Sequence, residues 1–393
     1  MRWRKILLGF LLAATGLAAC QPEPPSPPTP TSLAVTPTVG LEGEATPMIQ
    51  PQAAVSQFNG IQLAWFYKPP EDGLLEPIAE NFDVYIMTKK GEEDRDELKT
   101  LGVETPFLQY LLSNSIQDRG NCTTVPFQNN VANQAGDFCR ISAEHPDWFL
   151  LDAQGNRIQR DNFYIMDSGN PQWLDFWLGR AQETQETLGW DGVFLDNIEA
   201  SLGKREEDHG MPARYKDDAS YQAAVEGSIR YLYTNYFQPQ RRPLYANIIA
   251  IRDPNVWLRY MQYLDGAMLE DFAVDWWDGY LDPAEWEEQL DMLTRTQQMG
   301  KAVILVAQGP RDDLQRQEFA FASYLLVDEG LASFRYAHHS AYSQAWLYDN
   351  YNLDLGQALG AYYQEDGVWK RDFEKAVVTV DPAGHEASIA MKP

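Results

Sequence analysis

The sequence predicts an α/β fold, a (β/α)8 TIM barrel with a small C-terminal β appendage, on three observations. From Phe58 onward, short apolar runs alternate with longer amphipathic ones, the pattern of βαβ units that feed a parallel sheet. Eight such runs occur within about 280 residues, the size of a closed barrel with insertions. After the first run, Tyr67-Lys68-Pro69-Pro70 stands where a doubly wound open sheet would carry a Gly-rich phosphate turn.

Taken in chain order, residues 1–20 form a leader. Arg2, Arg4 and Lys5 precede an apolar run from Ile6 to Leu12, and Leu17-Ala18-Ala19 leads into Cys20. That run is far short of the about 20 apolar residues of a membrane-spanning helix, and its order of charge, apolar core and small residues is that of a cleaved secretory signal. The Leu-Ala-Ala-Cys stretch resembles a bacterial lipobox, which implies lipidation of Cys20. Residues 21–55, rich in Pro, Thr, Ser and Ala, bury too little apolar surface to offset the entropy of ordering and predict a tether. The expectation is a bacterial protein outside the cytoplasm, held to a membrane or cell surface through its lipid alone.

The barrel is expected over 56–345. Its strands are predicted at Ile61–Tyr67, Phe82–Met87, Pro106–Leu111, Gly192–Asp196, Leu244–Ile248, Gly266–Glu270, Ala302–Ala307 and Ala332–Tyr336. Helices are predicted over Pro171 to Leu188, Tyr221 to Phe237 and Pro283 to Gln298, the first and last opening on a proline, which suits the first helical turn. Two insertions, Ser113 to Arg160 and Ser201 to Asp218, follow strands and so belong on the C-terminal face, where long loops shape a site. Residues 346–393 form the appendage, with strands expected at 368–373 and 376–380.

Thirty-one Lys and Arg face 57 Asp and Glu, a net charge of −26. Loss of Arg2, Arg4 and Lys5 with the leader makes it −29. Such a surface repels nucleic acid and anionic lipid. With Cys20 taken by lipid, Cys122 and Cys139 remain, an even pair that reads as a disulfide in an oxidising compartment. His145 alone near them does not make a zinc site, and neither a metal nor a cofactor is expected. The chain lacks Gly-x-Ser-x-Gly, His-Glu-x-x-His and Walker sequences, which argues against serine hydrolase, zinc peptidase and NTPase chemistry.

The chemistry concentrates in an internal echo. Asp191-Gly192-Val193-Phe194-Leu195-Asp196 and Asp265-Gly266-Ala267-Met268-Leu269-Glu270 share the form Asp-Gly-x-x-Leu-acid at the ends of strands four and six. Side chains alternate along a strand, so each terminal acid shares a face with the glycine and is placed to point into the barrel mouth. Glycoside hydrolysis needs such a pair, one acid to protonate the leaving oxygen and one carboxylate at the anomeric carbon. Asp196 is expected as nucleophile, remaining ionised, and Glu270 as acid/base with a raised pKa, with Asp271 as the rival acid.

The segment Trp190 to Asn197, preceded by His145-Pro146-Asp147-Trp148-Phe149-Leu150 and Met166-Asp167-Ser168-Gly169-Asn170-Pro171-Gln172-Trp173, resembles the hypothetical glycosyl hydrolase family fifteen. That family is similar in turn to endo-α-1,4-polygalactosaminidase and α-galactosidase type barrels. The resemblance covers roughly 60 to 381 and implies a barrel, a nucleophile after strand four and an acid/base after strand six, hence Asp196 and Glu270.

Aromatic and polar groups complete the expected site. Sugar rings stack their C–H faces on aromatic rings, which makes Trp276 and Trp277, and Trp65, Phe66 and Tyr67 at the end of the first strand, candidate platforms. Tyr110, Asn247 and Gln308 are candidate hydroxyl-binding groups, and Asn197, a supporting residue, and Asp271 complete the expected substrate-binding set. The expected partner is an oligosaccharide or polysaccharide, engaged by a monomer. A lipid-anchored carbohydrate-binding protein with a non-catalytic barrel is the alternative.

Overall fold

The computed structural model describes residues 60–88, 90–204, 210–277 and 279–393. Cys20, the leader and the tether lie outside them. The barrel opens with β1 (Ala64–Phe66), β2 (Val84–Met87) and β3 (Phe107–Leu112), and the first insertion then adds a small antiparallel sheet of β4 (Ser115–Gln117), β5 (Gln159–Arg160) and β6 (Phe163–Ile165). The barrel resumes with β7 (Gly192–Glu199), β8 (Leu244–Ile249), β9 (Gly266–Leu269), β10 (Ala302–Gln308) and β11 (Ala332–Ala337). The eight barrel strands pair in parallel in chain order. A parallel bridge between Leu63 and Phe334 brings the last strand back to the first, with the Phe334 amide donating to the Gln62 carbonyl at 2.8 Å.

These strands are apolar on both faces because both are covered. Ala64, Phe66, Ile86, Phe194, Met268 and Val306 fill the barrel interior. Their neighbours Trp65, Tyr85, Leu195, Leu269 and Leu305 join the cluster between strands and helices. Phe194 and Met268 thus occupy the inward face expected from the alternation that also carries Asp196 and Glu270.

The first half of the echo has a structural cause. The carboxylates of Asp191 and Asp265 accept from the amides that begin the preceding strands, Phe107 and Leu244, each at 3.0 Å. Asp83 does the same for Leu63 at 2.8 Å. A Cβ on Gly192 would lie 2.3 Å from the Pro243 carbonyl oxygen, and one on Gly266 would lie 2.3 Å from the Tyr245 ring. Each Asp-Gly therefore caps a neighbouring strand and leaves room for close packing at the barrel floor.

Helix Pro171–Leu188 starts on Asn170, whose side chain accepts from the amides of Gln172 and Trp173, and stops at Gly189 in the left-handed region. The helix expected over Tyr221 to Phe237 begins earlier, at Asp218 with an Asp217–Ser220 capping box, and passes into a π-helical turn at Tyr233–Phe237. Helices Pro283–Gln298 and Leu314–Val327 complete the covering relevant to the site. Among the described residues no helix is long and apolar enough to cross a membrane.

The appendage is a four-stranded antiparallel sheet of β12 (Tyr363–Glu365), β13 (Val368–Asp372), β14 (Ala376–Asp381) and β15 (Glu386–Met391), twice the strands the sequence predicted. The two edge strands escaped notice because they are mostly exposed and carry no clean apolar alternation. The sheet is fastened to the barrel. Buried Arg371 donates through Nη1 to the carbonyls of Leu325, Leu326 and Asp328 at 2.9, 3.0 and 2.7 Å, satisfying the C-terminal end of helix Leu314–Val327. The ring of His385 lies on that of Tyr280 at 4.2 Å and 6°. In the first insertion, Cys122 and Cys139 form a disulfide with Cα atoms 5.8 Å apart.

Candidate active site

Asp196 and Glu270 meet at the C-terminal end of the barrel. β7 does not stop at Asp196 as expected but runs on to Glu199 through a bulge, since the pairing with β8 steps from Leu195 opposite Ala246 to Ile198 opposite Ile248. The bulge falls on Asp196 and Asn197, and Asn197 takes a left-handed φ of 60°. Four other non-glycine residues that follow barrel strands have positive φ: Tyr67 (φ 73°), Lys90 (φ 89°), Ala250 (φ 56°) and Ala273 (φ 62°). Each costs on the order of 1–2 kcal/mol. Such strain collects where a structure must aim side chains at a site.

The Asn247 side chain joins the two acids. Its Nδ2 donates to Asp196 Oδ1 at 3.1 Å and to Glu270 Oε2 at 2.7 Å. Those oxygens are therefore no further apart than the sum of the two bonds, 5.8 Å. Acceptors lying along the two N–H directions of one amide, about 120° apart, would stand about 5 Å from each other at these bond lengths. Asp196 also accepts from the Tyr110 hydroxyl, and from Asn197 Nδ2 at 2.9 Å. Lys204 Nζ donates to Asn197 Oδ1 at 3.2 Å, which fixes the amide with its nitrogen toward Asp196. Glu270 receives longer bonds from the Tyr67 hydroxyl at 3.5 Å and the Tyr342 hydroxyl at 3.4 Å.

Burial, and then the nearby negative charge of Asp196, push the Glu270 carboxyl up to about 7, against a smaller opposing pull from the Asn247 bond. The same burial, reinforced by the two carboxylates, holds the Tyr67 and Tyr110 phenols well above their ordinary range, so both stay protonated donors.

The remaining expected residues divide. Tyr67, Tyr110, Asn197 and Asn247 touch the acids directly. Asp271 is exposed beside Glu270, and only Glu270 shares the Asn247 amide with Asp196. Gln308, expected to face substrate, is 0 % exposed and instead donates to the Tyr342 hydroxyl at 2.7 Å, so it acts through Tyr342. Trp276 lines the larger cavity, and Trp277 is 68 % exposed at the rim.

Their loop is held from below by Arg316, itself 1 % exposed. Its guanidinium donates to the carbonyls of Gly279 (2.5 Å), Asp275 (2.9 Å), Trp277 (3.3 Å) and Gln308 (2.6 Å). Neither Arg316 nor Tyr342 was singled out from the sequence. Tyr342 lies in a turn after β11 with no periodic signal, and Arg316 resembles any charged residue in the first turn of a helix.

Hypothetical glycosyl hydrolase family 15 matches residues 105–377, from the start of β3 into β14, a span that includes both acids and the Asn247 bridge. The chain belongs to that family. It is a glycoside hydrolase. No curated protein matches the hydrolase. Among solved structures it is similar to the glycoside hydrolase domain of PelA from Pseudomonas aeruginosa, at 16% identity and a TM-score of 0.47, over 73% of this chain and 97% of that one. It is also similar to the maltogenic α-amylase AmyB from Thermotoga neapolitana, at 12% identity and a TM-score of 0.48, over 82% and 86% of the two chains. An α-galactosidase from Lactobacillus brevis is similar at 10% identity and a TM-score of 0.43, over 81% of this hydrolase and 46% of that chain.

Proposed function

We propose that the hydrolase cleaves a glycosidic bond in an extracellular or envelope polysaccharide with retention of configuration, using Asp196 as nucleophile and Glu270 as acid/base. The observation that carries this reading is the Asn247 amide bonded to both carboxylates, which holds the bonded oxygens within 5.8 Å of each other, closer than the about 6.5–9.5 Å at which an inverting enzyme seats its water between the base carboxylate and the sugar. In the first step an Asp196 oxygen bonds to the anomeric carbon as the glycosidic C–O bond breaks, and the Glu270 proton passes to the leaving oxygen. In the second, Glu270 takes a proton from water, the water oxygen bonds to the anomeric carbon, and the Asp196 ester opens. A carboxyl titrating near 7 serves both directions of that proton transfer.

The leader and lipobox-like cysteine support a lipid anchor outside the cytoplasm of a bacterium. Incorporation of labelled palmitate should disappear in Cys20→Ser, and labelling that persists in that variant would remove the anchor from this proposal. The purified full chain should hydrolyse at least one member of a panel of bacterial exopolysaccharides and aryl glycosides. Proton NMR of the first product formed should show the anomer of the substrate. Appearance of the opposite anomer would overturn the retaining assignment, and full activity in Asp196→Ala or Glu270→Ala would overturn the pair itself.

A further inference from the structure

Two cavities meet at the acids. One, of about 1060 Å³, runs over the ends of β8 and β9 toward helix Pro283–Gln298 and includes Glu270 and Trp276. The other, of about 310 Å³, lies over the ends of β3 and β7 and includes Asp196. In barrel order the second cavity lies on the side of Asp196 away from Glu270, over β3 and β7. The first lies over β8 and β9, the strands that carry Asn247 and lead to Glu270, and Lys204 is in the wall of both. The second cavity is a product of the first insertion: Arg160 and Phe163 from the β5–β6 hairpin, with Asn114 and Asn129, close it against Tyr110.

We propose that the cavity beyond Asp196 is a binding subsite for sugar residues on the non-reducing side of the scissile bond, so that a glycan chain crosses the barrel mouth and is cut internally. The direction follows from the chemistry and rests on the two-carboxylate reading. The nucleophile attacks the residue that keeps its anomeric carbon, while the acid protonates the oxygen that leaves with the next residue. The leaving residue stays on the side of the acid that protonates its oxygen, so the space on the side of Asp196 away from Glu270 is open to the glycone. An enzyme that removes single end units needs a wall on the glycone side. Here that side is a pocket at the small end of the ligand-site range of roughly 300–1,000 Å³, enough for one or two rings.

Its lining suits a sugar. The half-buried Phe163 ring offers an apolar face, and Arg160 and Asn114 carry donors for hydroxyls. The Asn129 side-chain oxygen, in the same wall, accepts no hydrogen bond among the described residues. The β4–β6 sheet and the disulfide-closed loop thus act as one wall of the substrate cleft.

The test uses 4-nitrophenyl glycosides carrying one, two and three residues of a sugar that the wild-type enzyme cleaves. Each added residue lies on the glycone side, so kcat/KM should rise about tenfold or more from one residue to two. In Arg160→Ala and Phe163→Ala that gain should be lost, with activity on the one-residue glycoside within about twofold of wild type. Arg160 is exposed, so its variant keeps the test valid if Phe163→Ala folds poorly. On polymer, the wild type should produce a ladder of internal fragments from the first time points. A wild type indifferent to glycone length, variants that lower all three substrates alike, or release of terminal units only would overturn the subsite. A wild type inert on every glycoside and polymer would overturn the two-carboxylate reading and the subsite with it.

Discussion

Replacing Glu270 by glutamine should make the protein more stable above neutral pH while slowing hydrolysis of unactivated glycosides by roughly 10²–10⁴-fold, the contribution of a general acid. The stability effect follows from where the folded chain holds this proton. The Glu270 carboxyl titrates near 7 in the fold against an ordinary 4.5, because burial and the Asp196 charge both penalise its ionised form. Between those two pH values the folded state carries more protons than the unfolded one, so the cost of Glu270 is absent below about pH 4.5, grows as pH rises, and is complete above about pH 7. A shift of that size corresponds to about 3 kcal/mol at most, of which the lost carboxylate bonds to Asn247 and the tyrosines return a part. The midpoint of thermal unfolding of Glu270→Gln should therefore exceed that of wild type by several degrees at pH 8 and match it at pH 4. An equal or lower midpoint at pH 8 would mean that the carboxyl is not held up by its surroundings. The same titration sets activity, and wild-type kcat/KM should fall as pH rises through about 7, where the acid loses its proton.

That coupling explains why the acids sit where they do. A charged pair in a confined mouth is unfavourable for folding, and the neighbouring residues offset it mainly by position, with the Lys204 charge the smallest of the influences on Glu270. Asn247 spans both carboxylates, Tyr110 and Asn197 complete Asp196, and Gln308 orients Tyr342 toward Glu270. Among the described residues, Lys204 is linked to Asp196 through the Asn197 amide. The left-handed backbone at Tyr67 and Asn197 belongs to the same arrangement, since each places a polar group on an acid at a local conformational cost.

The barrel was legible in the sequence because its strands are covered on both faces and read as continuous apolar runs, and because Phe194 and Met268 keep the phase that carries Asp196 and Glu270 inward. The inserted β4–β6 sheet was not, since strands of two or three residues leave no periodicity to detect. Gln308 shows the same limit in the site. A polar residue at a strand end signals the mouth of the barrel, but whether it meets substrate or another side chain depends on Tyr342, 34 positions away. The bulge at Asp196 was also invisible, because it is a shift in register between two strands rather than a property of either one.

The nucleophile can be distinguished from the acid by which variant azide rescues and with which stereochemistry. Asp196→Gly removes the carboxylate that is to bond the anomeric carbon and leaves a space beside Asn247 and Tyr110, so turnover of an aryl glycoside should fall by roughly 10⁴-fold. Azide entering that space should attack the anomeric carbon directly as the aryl oxygen leaves, giving a glycosyl azide of inverted configuration and restoring a measurable part of the rate. In Glu270→Ala the first step with a good leaving group needs no proton, so the Asp196 ester should accumulate. Azide should then displace it, giving a glycosyl azide of retained configuration. The two products have opposite anomeric signals in proton NMR, so one experiment assigns both residues. If the stereochemistry is exchanged between the variants, so are the roles, and Asp196 is the acid. If azide rescues neither while water still turns the substrate over, the Asn247 bridge holds two carboxylates that do not form an ester, and their close spacing has another cause.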